Sequence, residues 1–371
     1  MNKIMTIVGT RPELIKLSRV ISEIDSHSKH VLVHTGQNYN NELNKVFFKD
    51  LEIRDPDYYL EAAGKTAIET IGQILISVEK IILKEKPSAV LIYGDTNSCM
   101  SALVAKRHQV PIFHMEAGNR SFDDRVPEEI NRRVIDHISD INMPLTEHAR
   151  RYLINEGIRS ETIIKIGSCM QEVLDFYMPK IEKSKILNTL KLNKNEYFLV
   201  SAHREENVDI ESRLISLMES LNKVVEKYKK TIIFSVHPRT KKRLNKIKNL
   251  KIKKEIKFIK ALGFLDFIKL QKHAKCILSD SGTISEESSL LGLRSIMLRQ
   301  AHERPEGMDE AVTVMSDLDS NSILSSIKII LNQNYNMKIV PDYEGGDVSQ
   351  KVIRTISSYT SYVNRTVWKK N

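Results

Sequence analysis

Short apolar runs alternate along the chain with amphipathic stretches. The runs Lys3–Val8, Val31–Thr35, Ser88–Tyr93, Pro111–Met115 and Thr162–Ile166 predict buried strands. The stretches between them are spaced as helices. The clearest is Thr66–Lys86, whose Ile68, Ile71, Ile74, Leu75, Val78, Ile81 and Ile82 share one face before Pro87 ends it. Such alternation predicts a parallel sheet with helices on both sides. It lapses over Gly167–Glu196, which holds one predicted helix. It resumes with strands at Tyr197–Ser201, Thr231–Val236, Ile256–Ile259, Lys275–Ser279 and Ser295–Leu298, and Glu211–Lys229 is the principal helix between them. The fold class is α/β, with two similar doubly wound domains at residues 1–167 and 168–355. Helical spacing over Val348–Val363 predicts a tail, ending in residues 356–371, that packs back on the N-terminal domain.

Composition fits this division. A chain of 371 residues, 41% hydrophobic and 28% charged, is long for one core and ordinary for two. No apolar run reaches the length of a membrane-spanning helix. The opening MNKIMTIVGT enters a strand directly, so no secretory leader is expected. Cys99, Cys169 and Cys276 lie too far apart for metal or disulfide spacing, so a reducing, cytoplasmic setting is expected and no metal site.

The net charge of +10 admits nucleic acid, an acidic membrane surface or anionic small molecules as partners. Much of the excess lies in Lys241–Lys260, with nine Lys, one Arg and one acid. Only Phe258 interleaves that run and no nucleic-acid motif accompanies it. A solvated helix face followed by a strand is the plainer reading, so neither nucleic acid nor membrane is an expected partner.

Ligands of open parallel sheets sit beyond the carboxyl ends of the strands, and the informative residues are there. After the first strand come Gly9-Thr10-Arg11-Pro12-Glu13 and then Lys16. Pro12 suits a helix opening, and Arg11 and Lys16 flank its anion-attracting N-terminus; a surface loop with two cations fits equally. Asp95, in Gly94-Asp95-Thr96-Asn97-Ser98, is a helix cap or a catalytic acid. Glu116 ends the next strand, and if the two strands pair, the two carboxylates share one pocket and raise each other's pKa. Glu128 and Glu129 follow Pro127 as a normal helix opening.

In the second half His203 and Arg204 follow a strand. The imidazole can donate to a phosphate or shuttle a proton, or merely bond within its loop. His237 and Arg239 repeat the arrangement more weakly. Ser279-Asp280-Ser281-Gly282-Thr283 leads into a helix, a setting in which backbone N–H groups and hydroxyls approach a diphosphate. Glu286 and Glu287, one turn on, suit sugar or ribose hydroxyls. Arg299 and Arg304 follow the next strand, and Arg304 offers the diphosphate a further cation.

Nine segments, in order, resemble the non-hydrolysing UDP-N-acetylglucosamine 2-epimerase family: GTRPELIK at Gly9–Lys16, TGQN at Thr35–Asn38, YGDTNS at Tyr93–Ser98, HMEAGNR at His114–Arg120, VPEEINR at Val126–Arg132, AHREEN at Ala202–Asn207, VHPR at Val236–Arg239, SDSGTISEE at Ser279–Glu287 and ERPE at Glu303–Glu306. The resemblance implies a GT-B-like pair of Rossmann-like domains facing a central cleft. It implies inversion at C2 of a UDP-linked 2-acetamido sugar, without cofactor or metal, in a homodimer. By motif match, Asp95, Glu116, Glu128 and His203 take the catalytic positions. Arg11, Lys16, Ser281, Gly282, Glu287 and Arg304 take nucleotide-sugar contact positions.

Two departures bear on substrate and regulation. The loop GNRSFDDRVPEE is shorter than expected of enzymes acting on UDP-N-acetylglucosamine and lacks a Trp before Pro-Glu-Glu. It resembles the capsule and O-antigen branch that converts UDP-2-acetamido-2,6-dideoxy-L-talose to UDP-N-acetyl-L-fucosamine. The alternatives are production of UDP-N-acetylmannosamine from UDP-N-acetylglucosamine and, more remotely, a GT-B glycosyltransferase. Asn38 stands where allosterically regulated members carry His, so that regulation is not expected.

Overall fold

A computed structural model describes residues 3–36, 48–236, 238–247, 250–334 and 336–370, excluding the side chains of residues 238 and 239. Asn38 and His237 lie outside the described residues, and so does part of the lysine-rich run. The chain forms two compact units, Met1–Phe176 with Pro341–Asn371, and Tyr177–Val340. The sequence boundary at residue 167 thus falls nine residues early, and the segment 341–355 belongs with the first unit.

The first unit holds strands β1 (Lys3–Val8), β2 (Lys29–His34), β3 (Tyr58–Tyr59), β4 (Ala89–Tyr93), β5 (Ile112–Met115) and β6 (Ile141–Met143) in the order β3-β2-β1-β4-β5-β6. The second holds β7 (Tyr197–Ser201), β8 (Thr231–Val236), β9 (Ile256–Lys260), β10 (Cys276–Ser279), β11 (Ser295–Leu298) and β12 (Val314–Ser316) in the order β12-β11-β10-β7-β8-β9. Every pairing is parallel. Both orders are the doubly wound Rossmann pattern, with the strand order reversing beside β1 and β4 in one sheet and β7 and β10 in the other. The expected α/β, GT-B-like class with two Rossmann-like sheets is what the chain adopts.

Burial explains why the strands read as continuous apolar runs. Val90, Leu91 and Ile92 of β4 and Phe198, Leu199 and Val200 of β7 are inaccessible on both faces. The helix Ala67–Glu85 begins at Thr66, whose hydroxyl accepts from the Glu69 N–H, and packs Ile74, Val78, Ile81 and Ile82 inward. Ile68 is 76% exposed, so the expected apolar face overran its first turn.

One predicted strand is absent. Ser160–Thr162 is a short 3-10 turn, and Ile163 makes only an isolated bridge to Asn142. The sixth strand is instead Ile141–Met143, too short for its apolar run to stand out. The tail is the helix Val348–Thr366, which buries Val348, Val352, Ile356 and Val363 and packs on the helix Arg11–His27 within the first unit.

Candidate active site

In the first unit three strand ends converge at the topological switch point. The register of β4 on β5 sets Tyr93 beside Met115, so Asp95 and Glu116 lie just past paired residues. Glu116 Oε2 accepts from Lys16 Nζ at 2.7 Å and from the Tyr93 hydroxyl at 2.5 Å. Lys16 is itself buried. Glu116 has φ +65°, in the left-handed region. That conformation costs a non-glycine residue about 1–2 kcal/mol and marks a turn held by its surroundings.

Asp95 is held differently. Its Oδ2 accepts from Arg132 Nε at 2.7 Å, and its carbonyl accepts from Asn131 Nδ2 at 2.8 Å. Both donors lie on the helix Pro127–Ile138, whose first turn carries Glu128 and Glu129. The neighbours differ. Glu129 is fully buried and accepts from the Ser121 N–H, the Phe122 N–H and Arg132. Despite burial, these bonds hold its carboxyl below the usual range. Glu128 is half-buried on the same turn. The polar loop–helix junction thus encloses Glu129, whereas Glu128 is only partly buried.

Arg11 opens the helix Arg11–His27, with its guanidinium pulled below its ordinary pKa by burial. Two residues on, Glu13 is buried and accepts from the Gly9 N–H at 2.6 Å and the Thr96 hydroxyl at 2.5 Å, tying the turn after β1 to the turn after β4. Desolvation raises its pKa to about 7 against the bonds from Thr96, Gly9, Thr10 and Ser98.

In the second unit the equivalent strand ends carry the other expected residues. Asp280, fully buried after β10, accepts the N–H groups of His203 and Arg204 at 2.9 and 3.0 Å. It also faces His203 Nδ1 at 3.2 Å. Ser281 Oγ lies 3.0 Å from Thr283 Oγ1, which donates to Glu287 Oε1 at 2.9 Å. Gln271 donates to the other Glu287 oxygen at 2.6 Å. A Cβ at Gly282 would stand 2.5 Å from Glu303 Oε1, so only glycine admits that carboxylate at the loop without displacing it. Arg304 is buried and faces Glu286 at 3.4 Å and Glu306 at 4.0 Å. Arg299, also buried, faces Glu303 at 2.8 Å, and its Nε and Nη1 have no hydrogen-bond partner among the described residues. A helix N-terminus ringed by buried guanidinium groups suits a polyanionic ligand.

Sequence reasoning overlooked Tyr93, Glu13, Arg132, Asp136 and Asp280 as parts of these sites. One signal was available: Glu128, Arg132 and Asp136 recur at four-residue spacing, a polar stripe along a helix whose Arg132 and Asp136 are buried. Among the described residues no group of three or more His, Cys, Asp or Glu side chains is placed to hold a metal ion, and no helix is long and apolar enough to cross a membrane.

The comparisons with known proteins converge. Residues 22–357 match the family model described as UDP-N-acetylglucosamine 2-epimerase. A Methanocaldococcus jannaschii UDP-N-acetylglucosamine 2-epimerase is 38% identical, covering 97% of this chain and 100% of the relative. A Pseudomonas aeruginosa UDP-2,3-diacetamido-2,3-dideoxy-D-glucuronate 2-epimerase is 34% identical over 94% of this chain and 98% of its own. The structure of UDP-N-acetylglucosamine 2-epimerase from Rickettsia bellii superposes with a TM-score of 0.94 at 54% identity, covering 100% of both chains. That of the M. jannaschii UDP-GlcNAc 2-epimerase in complex with UDP-GlcNAc and UDP superposes with a TM-score of 0.90 at 37% identity, covering 96% of this chain and 99% of that one. The chain belongs to the UDP-N-acetylglucosamine 2-epimerase family.

Proposed function

We propose that this epimerase inverts C2 of a UDP-linked 2-acetamido sugar by elimination and re-addition. The C2 proton is not beside a carbonyl, so enolate chemistry does not labilise it. A carboxylate takes the proton, the C2–H electron pair becomes the C1–C2 double bond, and UDP leaves with the C1–O pair. UDP then adds back to C1 of the glycal while a proton arrives on the other face of C2. Asp95, Glu116 and Glu128 are the acid/base groups. Arg11, Lys16, His203, Ser281, Gly282 and Arg304 hold the diphosphate as its charge develops, and Glu287 takes a hydroxyl of the nucleotide sugar.

The observation that carries this reading is the placement of Asp95 and Glu116 at adjoining strand ends, each bonded to its own buried cation, Arg132 and Lys16. Such pairing sets two carboxylates at neighbouring strand ends, each with its own buried cation, the geometry that two acid/base groups acting at one carbon require. Incubation with UDP-N-acetylglucosamine in D2O, with no acceptor, should give both C2 epimers, each deuterated at C2. Epimerisation with the C2 proton retained would sink the mechanism, and turnover only with an added acceptor would sink the epimerase reading in favour of glycosyl transfer.

UDP-N-acetylglucosamine is the first substrate to test because the relatives from M. jannaschii and R. bellii carry its name. The loop supports a second reading. Glu129 pins Ser121 and Phe122, and Phe122 stands 66% exposed with φ +54°. A short loop without Trp suits a sugar lacking the C6 hydroxyl, UDP-2-acetamido-2,6-dideoxy-L-talose, with UDP-N-acetyl-L-fucosamine as product. Comparing kcat/KM for the two sugars decides between them. A homodimer is part of the proposal, supported by exposed Ile68, Ile76 and Leu83 on one helix, and light scattering tests it.

A further inference from the structure

We infer that His114 is a buried imidazolium whose bridge from Asp136 to the Gly94 carbonyl locks the two turns that carry Asp95 and Glu116. The inference rests on the reading of those two residues as acid/base groups. His114 lies in β5 and Asp136 on the helix Pro127–Ile138, and both are 1% exposed. His114 Nε2 stands 2.9 Å from the Gly94 carbonyl oxygen, and Nδ1 stands 2.9 Å from Asp136 Oδ1. A carbonyl only accepts, so Nε2 carries a hydrogen.

The proton at Nδ1 follows from the other side of Asp136. Its Oδ2 already accepts from the Gly118 N–H at 3.0 Å and from Arg120 Nη1 at 2.7 Å. One proton is left to share between Oδ1 and Nδ1. A fixed guanidinium beside the carboxylate drives it to the imidazole. Burial alone would raise the Asp136 pKa, yet His114 and Arg120 hold it below the usual range. Arg120 continues as a double bond to Glu156, at 2.7 and 2.6 Å. Charges therefore alternate along His114, Asp136, Arg120 and the partly exposed Glu156, and the row is neutral only when the imidazole–carboxylate pair keeps its proton.

The other titratable groups facing this cluster fit. Glu156 also meets His137 at its exposed end, at 3.3 Å. Burial and the charges of Asp95, Glu13 and Asp136 hold the Cys99 thiol well above its ordinary value, so it adds no charge.

The mechanical consequence lies in what Asp136 ties. Gly94 precedes Asp95, and Gly118 follows Glu116 by two residues. Gly94, Glu116 and Gly118 all sit in the left-handed region, at φ +67°, +65° and +81°. A Cβ at Gly118 would stand 2.4 Å from the Ala149 carbonyl oxygen, so that turn is wedged against the next helix. One buried carboxylate thus grips the second turn directly and the first through His114. His114 and Asp136 are positioning residues, since neither reaches the surface where a sugar could touch it.

Long-range proton–nitrogen spectra of protein labelled with 15N-histidine test the charge. At pH 8.5 one imidazole should still carry protons on both nitrogens, and its signal should vanish in His114→Asn. Only neutral imidazoles at that pH, or persistence of the doubly protonated signal in the variant, would overturn the inference. The wild-type spectrum needs no variant and no turnover, so it stands apart from a failure of the epimerase reading. Kinetics test the mechanical role in folded His114→Asn and Asp136→Asn proteins. A fall of about 10²-fold in kcat with KM changed less than about twofold is expected, the scale of a misplaced reacting group. Wild-type kcat, or a loss confined to KM, would refute the positioning role.

Discussion

Each unit builds an aspartate–histidine pair at its strand ends, and the two are put to opposite uses. Asp136 and Asp280 are both buried, both accept backbone N–H from a strand-end turn (one on Asp136, two on Asp280), and both face an imidazole Nδ1, at 2.9 and 3.2 Å. They differ in what surrounds the ring. His114 is 1% exposed and spends Nε2 on a carbonyl, whereas the His203 side chain is 46% exposed. They differ also in counter-charge. Asp136 is gripped by Arg120, whereas Asp280 is held by backbone N–H groups and the Asn207 amide, and Arg204 bonds its carbonyl instead. On the proposed reading, the same pair serves as a lock where the ring is enclosed and as a presented donor where the ring is open.

The largest effects should fall on activity and separate the two uses. Asp95→Asn, Glu116→Gln and Glu128→Gln are each expected to lower kcat about 10²-fold or more, the usual scale for acid/base groups. Initial rates by NMR check this, and normal rates in all three would remove the carboxylates from the mechanism. His203→Asn should cost about 10-fold or more in kcat/KM while leaving the melting temperature unchanged, because its ring is half solvated. An unfolding defect there would make it another lock.

Stability should show the reverse asymmetry. Asp136→Asn leaves Arg120 and the imidazole without their shared carboxylate in the interior, a loss of about 3–5 kcal/mol. Asp280→Asn removes an acceptor of neutral donors, and about 1–3 kcal/mol is expected. Urea midpoints of the two variants, measured side by side, check the order. Equal losses would mean that the arginine adds nothing to the first pair.

The asymmetry also marks what the sequence could reveal. The strand ends after β1, β4, β5, β7 and β10 were legible because parallel strands buried on both faces read as uninterrupted apolar runs, and ligand chemistry gathers where they stop. Asp95, Glu116, His203 and Ser281 became candidates that way. Asp136 and Arg132 did not, because within a helix a charged residue usually means solvent, and only tertiary packing turned that face inward. Glu128 and Glu129 could not be told apart by position. Their difference comes from the Ser121–Phe122 turn folding back onto one of them. The two-residue strand β3 and the three-residue strands β6 and β12 were too brief to leave a pattern.

A smaller effect concerns a third buried carboxylate beside the same turns. Among the described residues Glu13 bonds only neutral groups, on Gly9, Thr10, Thr96 and Ser98, and its pKa rises to about 7 from an ordinary value of 4.5. Between those values the folded protein binds more protons than the unfolded chain, so this group makes stability fall as pH climbs from about 4.5 through 7. Glu13→Gln should flatten that decline. Urea midpoints at pH 5 and pH 8 check it, and an unchanged slope would mean that Glu13 stays ionised like Asp136.

The smallest expected effect comes from a carboxylate that is equally well paired but lies at the surface. Glu182 bonds Lys269 at 2.5 Å and also Lys272, and those contacts lower its pKa to about 2. Its side chain is 45% exposed, so water and salt screen the attraction that a buried pair would feel in full. The sign is opposite to that of Glu13: its contribution is complete above the ordinary value of 4.5 and is lost as pH falls toward about 2. Glu182→Gln should therefore cost no more than about 1 kcal/mol at pH 7, the scale of exposed ion pairs. That cost should shrink further in 0.5 M salt, while the loss in Asp136→Asn should not change. If the surface substitution proves as costly as the buried one, burial is not what gives the Asp136 lock its strength.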